Sequence, residues 1–530
     1  MASCFIAINI HEFITNSFPT MHLRKFILLI FCFQLAQTLT YGDVQKPQKL
    51  RLNLQRVIDI AQDSSLHAFI DKNRYLADYW DYRTYKARFL PTLNLHTRPF
   101  NFTRAVTEEY NWEDSSYQYI EQQDLNSYFN LSLNQNIALT GGRLYLDTDF
   151  GRIQNFYNDD IQYSATPIRI GYRQGLFDFN WLKWQKKIAP LRFQRAKRNF
   201  IQEREEIAER AVRYFFNLLL AQISLEIEKT KHANADTLYK DGKRRFKKDS
   251  ISQEDLYSLE LSKIKALNSL QQTENWVKRS ENRLISFLRL RENVSIELIS
   301  PDDIPQLNIE AAQALAKAHK NNPEMLWHKQ RRIQAEQNVV RAKKQRYNAD
   351  LSVSFGLNQS NGSIKNAYDN LLDQEKIRIN VNIPIVDWGL TQKQYNLAKK
   401  NQQVINAQME QSEIEFDQDI KRTVDEFNLQ KKIVRRAAQA DTLASKTYNL
   451  VKQRFMDGKI DIVKLNSAQQ DKISSRKNYI EELEQYWDYY YEIRQMTMYD
   501  FSRNKELTVD FNKLTQSNGL NPIRGDIMHH

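Results

Sequence analysis

The side chains of this chain that could perform chemistry are scattered rather than clustered. His319 and His328, the closest histidine pair before the terminal His529 and His530, are nine positions apart on a predicted helix. Two zinc ligands on one helical face are typically four positions apart, so this spacing does not indicate a metal site. The sequence also contains no phosphate-binding glycine loop and no serine elbow. We therefore expect no enzymatic activity, no metal site and no cofactor.

Charged side chains follow a pattern typical of solvated helices. Acidic and basic residues alternate closely, and carboxylate pairs such as Glu205 and Glu206 lie beside arginines. The formal net charge of +12 would suit a nucleic-acid partner, but no concentrated basic stripe accompanies it. We therefore expect no nucleic-acid partner.

The N-terminal segment predicts export from the cytoplasm. A short basic segment from Met21 precedes an apolar run at residues 26–36, and Gly42 fits the end of a cleavage site. Eleven apolar residues are too few to span a bilayer. Residues 1–42 are therefore predicted to be a signal peptide, with Met21 a more natural start than Met1.

Both cysteines precede the predicted cleavage site. Cys4 and Cys32 would be absent from the mature chain, which would then contain no cysteine. Disulfides, thiolate metal sites and cysteine nucleophiles are therefore not expected in the mature protein.

Glycine and proline are scarce, and their positions predict long helices. The 530 residues include only 13 Gly and 11 Pro. Gly242 is the single residue of either type between Pro190 and Pro301, and Gly458 is the single one between Gly389 and Gly519. Heptad repeats of apolar residues in these stretches are typical of coiled coils. The 26 Tyr and 27 Phe supply apolar surface that a disordered chain lacks.

The chain is a tandem repeat. Residues 170–180 match residues 379–389 at an offset of 209, and Arg245 matches Arg454 at the same offset. In each copy the interval between the two matched segments suits a helix of about 100 Å. A helical hairpin then follows, and its returning helix is about half as long.

Alternating apolar and polar residues predict strands before each long helix. The first copy has them near residues 92–98 and 166–176, and the second near 350–358 and 376–386. An additional hairpin, 129–152, occurs in the first copy alone, and the sequence leaves its placement open. An exported chain without a membrane-spanning helix can enter a bilayer as a closed barrel.

Over residues 50–500 the sequence resembles the TolC-like outer membrane efflux proteins. The resemblance depends on the duplication, on the step Phe89-Leu90-Pro91, and on the matched junctions and hairpin tips. It implies a mostly α fold with a β-barrel, in which a long coiled-coil helical tunnel joins a membrane barrel shared by a trimer. The first structural repeat would cover residues 43–300, the second 301–502, and a polar tail 503–530.

The family resemblance also implies a function. Such a protein is the passive, trimeric exit duct of a tripartite efflux or type I secretion system in the outer membrane of Gram-negative bacteria. Each chain would give four strands to a twelve-stranded barrel in outer-membrane lipid, with a large periplasmic portion. The implied partners are a periplasmic adaptor protein and an inner-membrane pump of the proton-driven (RND) or ATP-driven (ABC) type.

The resemblance assigns three groups of residues. The hairpin tips would dock the adaptor through Asp249, Ser250, Ile251, Ser252, Gly458, Lys459, Ile460 and Asp461. Asp255 and Lys464 are the candidate periplasmic gate, although Asp255 equally suits a stabilising acid at a helix N-terminus. The strand–helix junctions would use Pro91, Asp178, Pro384, Asp387 and Gly389, with both aspartates capping the long helices.

A different class of function remains open from the sequence. The heptads also suit a periplasmic coiled-coil structural or adaptor protein whose strands form a soluble domain. The sequence names neither the exported substrate nor the pump.

Overall fold

A computed structural model describes residues 48–112, 115–290, 294–301, 304–305, 307–345, 348–457, 459–460 and 462–516. The predicted signal peptide and both cysteines lie outside these residues. The chain divides into two compact units, and the described residues of the smaller are 48–52, 290 and 294–298. In that unit β1 (Gln48–Leu52) pairs in parallel with β7 (Val294–Leu298). Arg51 and Glu297 join these strands through an exposed bidentate ion pair.

The larger unit contains the helices and the main sheet. Among the described residues, no helix combines the length and the apolar character needed to cross a membrane. The helices are α1 (Leu54–Ser64), α2 (Leu66–Ala87), α3 (Trp181–Phe246), α4 (Gln253–Leu288), α5 (Ala311–Asn321), α6 (Pro323–Lys344), α7 (Ile364–Tyr368), α8 (Leu390–Met456), α9 (Ile462–Thr497) and α10 (Phe511–Gln516).

The two helical hairpins repeat as the sequence predicts. Helices α3 and α8 have 66 and 67 residues, or about 100 Å each at 1.5 Å per residue, and α4 and α9 have 36 each. Trp181 and Leu390, the first residues of α3 and α8, are 209 positions apart. The same offset separates Gln253 and Ile462, which begin α4 and α9.

Shorter helices pair with the sheet-side half of each long helix. In the first repeat Tyr75 and Tyr82 of α2 contact aromatic rings of α3, and the ring centroids of Tyr82 and Phe193 are 4.4 Å apart. The helical segment from Leu54 to Ala87 is broken at Ser65, which ends α1 and accepts a hydrogen bond from the Ala68 backbone to begin α2. Asn322 makes the equivalent break between α5 and α6. These breaks let the short helices change direction without leaving backbone groups unpaired.

The main sheet is antiparallel and continuous. Its strands are β2 (Thr92–Arg98), β3 (Phe102–Asn111), β4 (Ser116–Asn136), β5 (Arg143–Asn155), β6 (Asp160–Gly175), β8 (Asn348–Asn361) and β9 (Leu372–Asn382). Their order is β2-β4-β5-β6-β8-β9, and β3 pairs with residues 116–125 of β4.

The sheet departs from two expectations about the strands. Six strands lie in its continuous path where the family resemblance implies four barrel strands per chain, because the additional hairpin, whose placement the sequence leaves open, lies inside the sheet as β4 and β5, between β2 and β6. The strand expected at 376–386 begins earlier and ends at Asn382. Pro384 follows that end, and proline has no N–H with which to continue a ladder.

A buried ionic cluster joins the two repeats near the middle of α3. The Arg494 guanidinium on α9 donates from Nε to Glu205 on α3 at 2.7 Å and from Nη1 to Asp500 at 2.8 Å. Tyr490 donates its hydroxyl hydrogen to Asp500 at 3.0 Å. Although burial opposes it, hydrogen bonding from Ser502 and the charge of Arg494 hold the pKa of Asp500 below its usual value.

Removal of this guanidinium is expected to destabilise the fold strongly. Arg494→Met would leave the Glu205 and Asp500 carboxylates buried without a counter-charge, which costs roughly 3–5 kcal/mol. The free energy of unfolding in detergent, measured by loss of helical circular dichroism with denaturant, should fall by that amount. Arg51→Met, which breaks the exposed pair with Glu297, is the matched control and should have a much smaller effect. Equal losses in the two variants would contradict this prediction.

Candidate functional site

The main sheet has one apolar face and one polar face. Period-two alternation along every strand places its apolar side chains on the same side, because paired residues share a face. Thirteen of them are 36% to 69% exposed: Leu93, Leu95, Phe129, Leu131, Leu133, Leu144, Leu146, Ile168, Ile170, Phe355, Ile377, Ile379 and Val381. An exposed apolar face of this extent marks contact with lipid or another protein.

Charged side chains occupy the polar face. Arg169 pairs with Asp147 at 2.9 Å and with Asp149 at 2.7 Å, which fixes its guanidinium between two strands. A cavity of about 670 Å³ lies over this face. Its lining includes Arg169, the carboxylate of Glu375 and four further cationic side chains. Those cations have no ion pair among the residues that the structure describes: Arg143, Arg173, Lys376 and Arg378.

Asn180 caps α3 in place of the predicted Asp178. Its side-chain oxygen accepts a hydrogen bond from the Lys183 backbone at 2.9 Å. The same amide donates to the carbonyls of Ala138 and Leu139 at 3.0 and 3.2 Å, and so ties the β4–β5 turn to the helix. The Asp178 prediction is wrong because the helix begins two residues later than that cap requires. Asparagine's preference for cap positions was the available signal.

Gly389 occupies the N-cap position of the second long helix, and Asp387, two residues before it, supplies the side-chain acceptor. Its carboxylate accepts hydrogen bonds from the Gly389 backbone at 2.8 Å and the Thr391 backbone at 3.1 Å, and also from the Thr391 hydroxyl. Bonds from Thr391 and then Gly389 hold the pKa of Asp387 below its usual value. Gly389 has φ of 74°, a left-handed conformation that suits glycine at the turn. Pro91 and Pro384 lie just outside β2 and β9.

The first hairpin tip is a tight turn between two caps. Backbone bonds from Ser250 to Arg245 at 2.9 Å and from Asp249 to Phe246 at 3.0 Å form a Schellman motif, with Asp249 left-handed at φ 53°. Ser252 then begins α4 in a capping box with Asp255. Bonds from the Ser252 hydroxyl and backbone lower the pKa of Asp255. Ile251 is half-buried in this turn.

The second tip repeats part of this geometry. The Lys459 backbone donates to Arg454 at 2.9 Å, the bond that corresponds to Ser250 and Arg245 at the offset of 209. Lys459 pairs with Asp457 at 3.5 Å, and Ile460 is half-buried. Gly458 and Asp461 of the predicted docking group lie outside the described residues. Lys464 of the predicted gate is exposed, on the first turns of α9.

The histidines are placed apart. His319 contacts Asp417 on α8 at 2.6 Å, whereas His328 is buried near Glu413 of the same helix. The described part of the chain contains no group of three or more His, Cys, Asp or Glu side chains that could hold a metal ion.

A family model described as outer membrane efflux protein matches residues 314–497. This range includes α6, β8, β9, α8 and α9. The match confirms the predicted family for this part of the chain. Comparison with curated proteins found no match.

Solved structures of outer membrane channels share the fold over most of the chain. The CmeC outer membrane channel of Campylobacter jejuni is 13% identical, with a TM-score of 0.63 over 87% of this chain and 89% of that one. The outer membrane protein VceC of Vibrio cholerae is 12% identical, with a TM-score of 0.58 over 86% of this chain and 97% of that one. The predicted fold class is thereby confirmed.

The capping box at the first tip should determine local rather than global stability. Ser252→Ala removes the side-chain acceptor of the Asp255 backbone N–H, and loss of such a cap costs about 1 kcal/mol. Backbone amides in the first turn of α4 should then exchange with deuterium about five times faster in hydrogen-exchange mass spectrometry. Ser258→Ala, farther along the same helix, is the control. Unchanged exchange in Ser252→Ala would show that this cap does not order the tip.

Proposed function

Because residues 314–497 match the outer membrane efflux protein family and the chain has the fold of outer membrane channels, we propose that this protein is the outer-membrane exit duct of a tripartite efflux or type I secretion system. In this proposal the duct is passive, and an inner-membrane pump of the RND or ABC type supplies the energy. The proposed assembly is a homotrimer that spans outer membrane and periplasm.

The observation that carries the proposal is the two-faced sheet at one end of helices about 100 Å long. A sheet with an exposed apolar band on one side and charged residues on the other suits lipid outside and water inside. Helices α3 and α8 each begin at the sheet end and reverse at a tip. The combination supports a conduit better than the alternative, a periplasmic structural or adaptor protein, because a soluble sheet would bury its apolar face.

Cell fractionation tests this proposal directly. The duct should be recovered in the outer-membrane fraction, as an assembly whose gel mobility changes on heating and whose mass corresponds to three chains. Recovery in the soluble periplasmic fraction as a monomer would contradict the duct and favour the alternative. Deletion of the gene should also increase accumulation of the exported compound in cells.

The two tips are the proposed docking surface for a periplasmic adaptor. Ile251 and Ile460 occupy matching positions at an offset of 209, and each is half-buried among polar turn residues. A partner that covers these two side chains would remove their remaining apolar surface from water, which favours binding.

A charge at the second tip should therefore abolish transport without affecting assembly. Ile460→Arg is expected to reduce efflux to the level of the deletion strain, because a guanidinium in the docking contact would be desolvated without a partner. The minimal inhibitory concentration of exported compounds measures efflux, and the trimer yield on unheated gels is the control. Normal efflux by this variant would show that Ile460 does not contact the adaptor.

The gate proposed at Asp255 can be separated from its capping role. Ser252→Ala removes part of the cap and keeps the acidic charge, whereas Asp255→Asn removes the charge. If Asp255 also closes the duct, Asp255→Asn alone should sensitise cells to large antibiotics that normally cannot pass the outer membrane. Equal sensitivity of the two variants would limit Asp255 to its helix cap. Lys464→Gln tests the corresponding position at the second tip.

The polar face should favour anions in the membrane section of the duct. Arg143, Arg173, Lys376 and Arg378 add positive charge that no ion pair offsets within the described residues, and rings of Arg and Lys are typical of anion pores. The double variant Arg173→Gln and Arg378→Gln should therefore shift the reversal potential toward cations in planar bilayers under a KCl gradient. Arg104→Gln, outside the cavity, is the control. An unchanged reversal potential would place the selectivity elsewhere.

A further inference from the structure

The main sheet has two open edges. Strand β2 pairs only with β4, and β9 pairs only with β8, within the part of the chain that the structure describes. Each edge therefore has backbone N–H and C=O groups that face outward without partners. Leu93 and Leu95 on β2 are 66% and 56% exposed, and Ile379 and Val381 on β9 are 61% and 60% exposed. In lipid, unpaired backbone groups cost several kcal/mol each, so such edges must be covered.

The edges fit those of a second copy of this chain. Strand β2 runs away from the helices and β9 runs back towards them. Their directions are opposite because four strands lie between them and every neighbouring pair is antiparallel. When β9 of one copy meets β2 of the next, their directions are opposite, as in every other pair of this sheet. The apolar face then continues across the junction. Strands β2 and β9 of one copy do not pair with each other in the described part of the chain, and a barrel of six strands would be too narrow for an aqueous channel.

The β4–β5 hairpin is part of the continuous main sheet and does not project from it. One row of paired residues crosses the whole sheet: Thr92, Asn134, Tyr145, Gly171, Ser354 and Lys376. The segment between α2 and β2 hydrogen-bonds to the hairpin at the end of β4, next to the β4–β5 turn. Gln135 donates to the Phe89 carbonyl at 2.9 Å and Asn136 donates to the Arg88 carbonyl at 3.1 Å. Gly141 of the turn is left-handed at φ 80° and lies against Asn180, the cap of α3.

We propose that three copies close a single barrel of eighteen strands, six from each chain, through seams between β9 of one copy and β2 of the next. The number three rests on the proposed trimeric function, whereas the six strands and the seam follow from the sheet itself. Eighteen is an even number, as antiparallel closure requires.

Eighteen strands give a wide bore. Barrel diameter grows roughly linearly with strand number, so this barrel is about one and a half times as wide as one of twelve strands. Barrels of 16 to 18 strands enclose an aqueous channel. The unpaired cations of the polar face would line that channel. Solutes larger than those admitted by a twelve-stranded barrel could then pass the membrane section.

Disulfide trapping in outer membranes tests the seam. In the full-length chain with Cys4→Ser and Cys32→Ser, Leu95→Cys is combined in turn with Ile377→Cys, Ile379→Cys and Val381→Cys. These residues share the apolar face, and several are needed because barrel stagger sets the register across the seam. Oxidation should produce bands of two and three chains for at least one pair. Leu95→Cys with Arg378→Cys, on opposite faces, is the negative control. Leu133→Cys with Leu146→Cys, paired across β4 and β5, should form a disulfide within one chain.

Lipid quenching tests the strand number. Fluorophores on single cysteines at Leu146 and Ile170, which pair across β5 and β6, should be quenched equally by brominated phospholipid. If Ile170 is quenched and Leu146 is not, the hairpin lies outside the barrel and the eighteen-stranded wall is wrong.

The outcomes separate this inference from the proposed function. Absence of seam bands in a heat-sensitive outer-membrane trimer would overturn the seam and leave the duct intact. A disulfide confined to one chain would also overturn it. Failure to reach the outer membrane would contradict the proposed function itself.

Discussion

The buried guanidinium of Arg494 is the interaction on which the arrangement of the two repeats depends. It joins α9 of the second repeat to Glu205 on α3 of the first, and Asp500 completes the charge balance. The cluster lies near the middle of α3, where Arg204 also hydrogen-bonds to Gln62 close to the break between α1 and α2. Loss of any member of this cluster would leave a buried charge without its partner and would destabilise the contact between the two repeats.

A second constraint acts on the main sheet: in lipid, every backbone N–H and C=O group needs a hydrogen-bond partner. Its alternating residues separate an apolar band from a charged face, and its six-stranded path ends in two edges that match in direction. The same sheet therefore explains the proposed place in lipid, the proposed aqueous interior and the need for further copies. The tips at the opposite end of the long helices are tight turns, and a capping box follows the first of them.

Much of this fold could be predicted from the sequence because its signals are local and repeated. Scarcity of glycine and proline indicated helices that are long enough to cross the distance between sheet and tip. The offset of 209 related the two hairpins, and period-two alternation located most strands. Site residues were harder to predict. Gly389 and Asn180 occupy the cap positions of α8 and α3, each two residues after the predicted aspartate, since one or two residues at a helix end change the cap without changing the periodicity. Asp387 still supplies a side-chain acceptor for the first turn of α8.

By itself, then, the sequence determined the elements, their repeat and the face that each strand presents, because these depend on residues only a few positions apart. The tertiary structure alone decided how distant elements pair. It placed the β4–β5 hairpin inside the sheet, and it brought Arg494 to Glu205 across 289 positions. Neither pairing leaves a local signal, since an alternating hairpin fits equally well within a wall or beyond it, and a buried charge resembles a solvated one until its partner is known.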